Sequence, residues 1–224
     1  KRLRAPKSWP LQYRKGIQFI ARPLCGPYRL EDSISLNVIL KDILKYAATT
    51  KDVKRILNQG IVLINDTVRK THKFPVGILD TVSISSLNEH YRVVYDHNGK
   101  ISLKKINKEE AERKSAKIKN KTILKKQKTQ LNLHDGTNII VKKDTYKTGD
   151  TVIIKNKQIT KCLKFEKGAL VYLLKGKHKG KIGIVEHFES ATAITPAKVT
   201  LDVEEEKITT KKDFAFIIEK DINL

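Results

Sequence analysis

Three features of the sequence predict an α+β chain built from several small domains. Apolar residues at helical spacing are confined to residues 36–57. Short alternating runs bounded by Gly, Asn and Asp dominate from residue 61 onward, and a basic stretch punctuated by prolines precedes both. With 224 residues, 39% of them apolar, the chain can supply the core of one large domain or of two to three small ones. No apolar run approaches the roughly 20 residues of a membrane helix, and the Arg-rich start lacks the apolar segment of a signal peptide. A soluble intracellular protein with no membrane partner is expected. The absence of Met predicts that the numbering begins downstream of the initiator. Cys25 and Cys162 lie far apart with no His or Cys at zinc spacing, so buried free thiols and no metal are expected.

Residues 1–34 form the first element, a basic N-terminal arm. Its first 29 residues carry eight cations and no acid: Lys1, Arg2, Arg4, Lys7, Arg14, Lys15, Arg22 and Arg29. Trp9, Tyr13, Phe19 and Tyr28 are interleaved with them, and Pro6, Pro10, Pro23, Gly26 and Pro27 remove any helical or strand period. This composition predicts an extended segment that orders on a partner; the plainer reading is a partly packed arm whose charges are solvated. Five of the nine arginines fall here, and the guanidinium fork fits phosphate and stacks on bases better than the ammonium of Lys.

Residues 35–106 read as one α/β unit. Leu36, Ile39, Leu40, Ile43, Leu44 and Ala47 predict a helix that leaves Lys41 and Lys45 on its outer face. Thr49 followed by Asp52 predicts the capped start of a second helix, with Val53, Ile56 and Leu57 inward, Lys51, Lys54 and Arg55 outward, and Gly60 as its stop. Ile61 to Arg69 alternates as a strand with a turn at Asn65-Asp66, Thr81 to Ser85 is a second strand, and Tyr91 to Ile106 is a hairpin about Asn98-Gly99. Asn107 with Glu110 predicts a helix to about Lys119, and the Lys-rich run to Lys128 a linker, so that 107–128 forms one connecting element. Residues 129–167 then give short strands separated by Gly136, Gly149-Asp150 and Asn156, which pack most simply as a small β-barrel-like domain. In 168–224, two strands flank a Gly/Lys loop from Lys175 to Lys181, and three further strands follow.

Two of these segments carry a resemblance. VKRILNQGIVLINDTVR (Val53 to Arg69) with PVGILDTVSI (Pro75 to Ile84) resembles the S4 RNA-binding motif, departing from it at Asp66, where Gly is usual. GKHKGKIG (Gly176 to Gly183) resembles the KOW motif, whose glycines turn a loop tightly between strands of an SH3-like barrel. In this order, and preceded by RLRAPKSW (Arg2 to Trp9) and ARPLCGPYRL (Ala21 to Leu30), they resemble the S4e family of small-subunit ribosomal proteins of archaea and eukaryotes over essentially the whole chain. The resemblance implies an rRNA-binding structural protein with an arm, an S4-like domain, a central β domain and a C-terminal KOW barrel.

Charge points the same way from the residues alone. A net +22 opposes compaction unless a polyanion neutralises it. Lys-dominated surfaces neutralise backbone phosphate without reading base edges, so phosphate and shape readout of folded RNA is expected. The expected contacts are the arm, with the eight cations above and Trp9 and Tyr13 as stacking rings, aided by Phe19 and Tyr28. A second contact comprises Lys41, Lys45, Lys51, Lys54, Arg55, Arg69 and Lys70, and a third Lys175, Lys177, His178, Lys179 and Lys181. Small-subunit rRNA and neighbouring ribosomal proteins are the implied partners, in the cytoplasm, with nucleolar passage during assembly in a eukaryote.

No catalytic pattern competes. The Gly176–Lys181 loop has three residues between its glycines where a nucleotide-binding P-loop needs four. His134-Asp135-Gly136 is ordinary turn chemistry with no nucleophile beside it. YRLEDS (Tyr28 to Ser33) has Glu31 where a pseudouridine synthase carries its Asp, and the clusters Glu109-Glu110 and Glu204 to Glu206 read as helix-start charge and a solvated hairpin. Neither a cofactor nor a small-molecule substrate is implied. The rival readings are an RNA-modifying enzyme that docks through the S4-like unit and a transcription or translation factor built on the KOW barrel.

Overall fold

The computed structural model describes residues 1–125, 128–142, 144–155, 158–192, 195–203 and 206–219. The turn expected at Asn156 and the carboxylates Glu204 and Glu205 lie outside them. The chain divides into two compact units, Lys1–Lys114 and Ser115–Ile222.

In the first unit, β1 (Ser33–Ser35) leads into a short helix α1 (Leu36–Val38), which widens into a π-turn over Ile39–Ile43. The expected helix thus ends early: the Leu44 amide bonds to the Ile39 carbonyl, five residues back, and Lys45 turns out of the helix at φ 57°. Its apolar spacing still does its work, since Leu36, Ile39, Leu40 and Ala47 are all buried. α2 (Thr50–Asn58) begins with the expected reciprocal cap, Asp52 N–H donating to Thr49 Oγ1 (3.3 Å) and Thr49 N–H to Asp52 Oδ2 (3.0 Å). Val53 and Leu57 face the core, and Gly60 ends the helix at φ 74°.

A five-stranded sheet follows, built from β2 (Val62–Ile64), β3 (Thr67–Val68), β5 (Thr81–Ile84), β6 (Glu89–Tyr95) and β7 (Ile101–Ile106), in the order β3-β2-β5-β6-β7; β4 (Pro75–Gly77) pairs instead with β1. The β2–β3 turn has both Asn65 (φ 48°) and Asp66 (φ 63°) left-handed, the signature of a type I′ turn. Asp66 therefore serves in the glycine position: Asp tolerates this region better than most residues, and the Asn65 side chain anchors the turn to Asp80 and to the Thr81 amide.

The predicted helix over 107–119 is reduced to α3 (Lys108–Ala111), and a ten-residue strand, β8 (Lys114–Ile123), takes its second half and the start of the expected linker, of which residues 126 and 127 lie outside the described residues. The period explains this correction. Ala116 and Ile118 alternate with Lys117 and Lys119, which suits a pleated strand, and burying Ala116 and Ile118 in a sheet core outweighs the helix-start signal at Asn107.

The second unit holds two five-stranded antiparallel sheets. The first has the order β10-β9-β8-β11-β12, with β9 (Thr129–Leu133), β10 (Asn138–Val141), β11 (Thr151–Lys155) and β12 (Gln158–Leu163). Its core is Ala116, Ile118, Leu131, Leu133, Val152 and Ile154. His134-Asp135-Gly136 is the β9–β10 turn, with Asp135 Oδ1 accepting from the amide and hydroxyl of Thr137. The second sheet has the order β16-β15-β14-β13-β17, with β13 (Leu170–Leu173), β14 (Ile182–Glu189), β15 (Lys198–Val203), β16 (Glu206–Lys211) and β17 (Ala215–Ile217). Val171, Leu173, Val199, Leu201 and Ile217 lie in its core.

Tyr172 and Phe216, paired across β13 and β17, are buried as well, with the His134 ring edge-on to Phe216 at 5.4 Å. Beside them Lys117 is buried, its Nζ donating to the carbonyls of Lys212 (2.9 Å), Asp213 (3.3 Å) and Ala215 (2.7 Å). Burial pushes this ammonium down to about 8, while the three carbonyls give its N–H groups partners. Of the two thiols, Cys162 is half-buried but Cys25 is exposed, because the arm passes over the surface at that point. The chain is mostly β, with helical structure limited to short stretches.

Candidate nucleic-acid interface

The arm is fixed to the first unit by its own polar groups. Trp9 is 2% exposed, and its indole N–H donates to the Ser33 carbonyl (2.8 Å); the Ser8 hydroxyl donates to Glu31 O (2.7 Å), and the Ile101 amide to Ser8 O (2.7 Å). Two arginines are spent on the arm's own carbonyls. Arg2 is buried, donating from Nε to Tyr13 O and pairing with Asp42 at 3.9 Å, while Arg14 donates from its two Nη atoms to Ala5 O and Pro6 O, each at 2.8 Å. Tyr28 lies flat on Gly77, where a Cβ would fall 2.4 Å from its ring, and its hydroxyl donates to Asp80 Oδ1. Asp80 is fully buried, which pushes its carboxyl up, and it also accepts from the Gly77 amide (2.8 Å).

Trp9, Tyr28, Arg2 and Arg14 thus leave the set of expected contacts: an aromatic ring or guanidinium that completes a core or caps carbonyls is not available to a base or phosphate. What the arm presents outward is Lys1, Arg4, Lys7, Lys15, Arg22 and Arg29, with Tyr13 67% and Phe19 70% exposed. Leu3, Ile17 and Leu24 are exposed with them.

A second cluster joins α2 to the loop between β3 and β4. Lys51, Lys54 and Arg55 project from the outer face of α2. The loop is drawn against β1–α1 and the arm by three backbone bonds: Asn37 N to His72 O (2.8 Å), Leu36 N to Phe74 O (3.1 Å) and Leu24 N to Lys73 O (2.9 Å). Arg69 packs over the Phe74 ring at 4.5 Å, with its Nε buried and without a partner among the described residues. Lys70 and Lys73 are exposed. Burial pushes the His72 imidazole down, and the charges of Lys54 and Lys73 add to the effect, which places all three in one electropositive neighbourhood.

His72 and Lys73 were not among the expected contacts, although the run RKTHK (Arg69 to Lys73) was the available signal. Lys41 is half-buried, and Lys45, past the end of the helix, does not share a face with it. The expectation that the two project together from the outer face of one helix is corrected accordingly.

The third cluster is the β13–β14 loop. Leu173 N donates to Lys181 O (3.0 Å), Gly180 N to Leu173 O (2.8 Å) and Lys181 N to His178 O (3.2 Å). Gly176 (φ 94°) and Gly180 (φ 91°) supply left-handed positions that a side chain would strain. Lys177 is exposed, while Lys175, His178, Lys179 and Lys181 are half-buried. Among the described residues no three His, Cys, Asp or Glu side chains come together to hold a metal ion, and no helix is long and apolar enough to cross a membrane.

Comparison with known proteins meets these features from the other side. The model of ribosomal family S4e matches residues 87–159. The chain is 42% identical to the small ribosomal subunit protein eS4 of Methanocaldococcus jannaschii over 97% of this chain and 92% of that one. It is 40% identical to the eS4 of Archaeoglobus fulgidus over 98% and 92%. Among solved structures, the crystal structure of the 30S ribosomal protein S4e from Thermoplasma acidophilum matches with a TM-score of 0.72 at 30% identity, covering 85% of this chain and 96% of that one. Similarity that runs through nearly the whole of both chains, and a fold shared with a solved member, establish that the chain belongs to the S4e family of ribosomal proteins.

Proposed function

We propose that the protein is a structural constituent of the small ribosomal subunit, in the cytoplasm, where it binds folded rRNA and stabilises it without catalysis. The observation that carries this reading is near-full-length similarity to proteins named small ribosomal subunit protein eS4. The charge is consistent with it: a surplus of 22 cations is balanced most simply by phosphate. In this reading residues 35–106 act as an S4-like RNA-binding domain and 168–224 as a KOW barrel, with 129–167 a β domain between them.

Contact falls to the cations that face solvent. In the arm these are Lys1, Arg4, Lys7, Lys15, Arg22 and Arg29, with Tyr13 and Phe19 as stacking rings. On the α2 side they are Lys51, Lys54, Arg55, Lys70 and Lys73 with His72, and in the second unit the loop from Lys175 to Lys181. Each ring that stacks on an unpaired base contributes about 1–3 kcal/mol. Neighbouring ribosomal proteins are the remaining partners.

Sedimentation of cell extract through a high-salt gradient tests the assignment: the protein is expected in the small-subunit fraction, and its release into the soluble fraction would point to a transiently bound factor. Binding to small-subunit rRNA is expected to weaken steeply with salt, log K falling by roughly 0.7–0.9 per neutralised phosphate for each decade. An affinity that hardly moved with salt would refute the phosphate readout.

A further inference from the structure

Beside the Gly/Lys loop lies an open groove of about 450 Å³, one wall made by the loop and the other by the edge strand β16. Its size falls within the roughly 300–1,000 Å³ of small-ligand sites. Its chemistry is divided between its parts. Lys175, Lys177 and His178 supply cationic or ring groups from the loop, and Thr210 a hydroxyl on the same face of β16 as Ile208, an apolar side chain half-buried against the core of the sheet, while Lys207 and Thr209 border the groove from the opposite face of the strand. Gly176 keeps the loop wall low: it carries no side chain, and its backbone lies on the Phe214 ring, with a Cβ position 3.6 Å away.

Lys177 makes no hydrogen bond or ion pair among the described residues, whereas Lys207 is held by Glu186. Glu206 is the one carboxylate among the described residues that line the groove. A cationic rim, a hydroxyl and a short apolar floor in one small concavity match the phosphate, the ribose and the face of a base.

We propose that this groove is a nucleotide subsite that accepts one unstacked nucleotide of single-stranded RNA. Lys177 and Lys175 lie toward the phosphate, the Thr210 hydroxyl toward the ribose, and the base sits against Ile208 and the His178 ring. Unpaired nucleotides are the elements of RNA that can be splayed into such a site. The inference rests on the reading of the protein as an RNA binder and adds to it: a loop tip alone would touch phosphates from outside, whereas a groove requires a base to enter. An acidic peptide added along the edge of β16 is the competing occupant, and the test separates the two.

The experiment uses the full chain and a labelled single-stranded hexauridylate, with an RNA duplex as the phosphate-only control and an acidic hexapeptide as the protein-like probe. Thr210→Trp fills the groove without changing charge. It is expected to weaken hexauridylate binding about tenfold while leaving duplex binding unchanged; Lys177→Ala with His178→Ala is expected to weaken both. In the unaltered protein, hexauridylate is expected to shift the Gly176 and Thr209 amide resonances, a readout that needs no variant to fold.

The proposal is overturned if Thr210→Trp folds and binds hexauridylate as tightly as the parent, or if those amides move with the acidic peptide and not with the oligonucleotide. Loss of binding to both RNA probes in the unaltered protein would instead refute RNA binding itself, so the two failures are distinguishable.

Discussion

The arm and the β13–β14 loop are both densely basic, yet they use their cations differently. In the arm, Arg2 and Arg14 satisfy backbone carbonyls, Trp9 completes the core and Tyr28 bonds Asp80, so four of its twelve cations and rings are taken up in packing the arm. In the loop the turn is made by backbone bonds and two left-handed glycines, which leaves Lys177 exposed at its tip. The difference follows from secondary structure. An arm with six prolines and glycines has few ladder bonds and must use side chains to satisfy its carbonyls, whereas a loop closed by a strand pair inherits its order from the sheet.

Substitutions sharpen this contrast. The largest effect is expected for Trp9→Ala, about 3–5 kcal/mol of lost stability by urea unfolding. Phe19→Ala, at an exposed ring of the same arm, is expected to leave stability within about 0.5 kcal/mol and to weaken RNA binding instead. Comparable destabilisation by the two would erase the distinction between core ring and presented ring. Deleting the arm outright would confuse these effects, because the deletion removes Trp9 from the core.

Next in size is the arginine pair. Arg14→Ala is expected to cost about 1–3 kcal/mol in stability by leaving two carbonyls without their donors. Arg22→Ala is expected to be neutral in stability and to lower the salt slope of RNA binding by roughly 0.7–0.9. The two outcomes exchanged would mean that the arm's bonds reorganise on RNA.

In the loop, Gly180→Ala forces a side chain into φ 91° and is expected to cost about 1 kcal/mol, read as a lower melting temperature of the second unit. Lys177→Ala is expected to leave stability unchanged and to weaken RNA binding while lowering its salt slope.

The smallest effect belongs to a polar cluster that is neither core nor loop. Glu89 accepts hydrogen bonds from Tyr46, Lys105 and Tyr91, which hold its carboxyl down to about 2. Because that value lies below the ordinary carboxylate value of 4.5, the cluster's contribution is present above pH 4.5 and is lost as pH falls toward 2. Unfolding measured at pH 5 and pH 2.5 is expected to show this loss in the parent and not in Glu89→Gln. An identical pH dependence in the two proteins would show that the cluster contributes nothing.

Where the sequence carries a local rule, the structure follows it. The Thr49–Asp52 cap, the stop at Gly60, the Asn98-Gly99 hairpin and the strands on either side of the Gly/Lys loop all depend on residues close in the chain. The misread segments are those in which two local rules conflict. Residues 107–119 begin with a helix cap and continue with a strand period, and the sheet core formed by Ala116, Ile118 and Leu131 decides for the strand. Residues 36–47 have helical spacing, but the helix widens and ends at Lys45. The basic run RKTHK was legible as charge; its placement beside α2 was not, because it depends on three backbone bonds to residues 24, 36 and 37.

By itself the sequence determined the partner class and the order of the structural units, because charge, period and turn chemistry are local or additive quantities. Tertiary structure alone decided which cations and rings remain to meet that partner. Arg22 and Arg14 are indistinguishable as letters; one faces solvent and the other fills the hydrogen-bonding needs of Ala5 and Pro6. Lys117 shows the same point at its extreme, a lysine in a basic run whose ammonium is buried on three carbonyls nearly a hundred residues away. Burial is a property of the packed chain, and a buried polar group left without a partner costs so much that Arg14 and Lys117 are committed to these carbonyls and not to the surface.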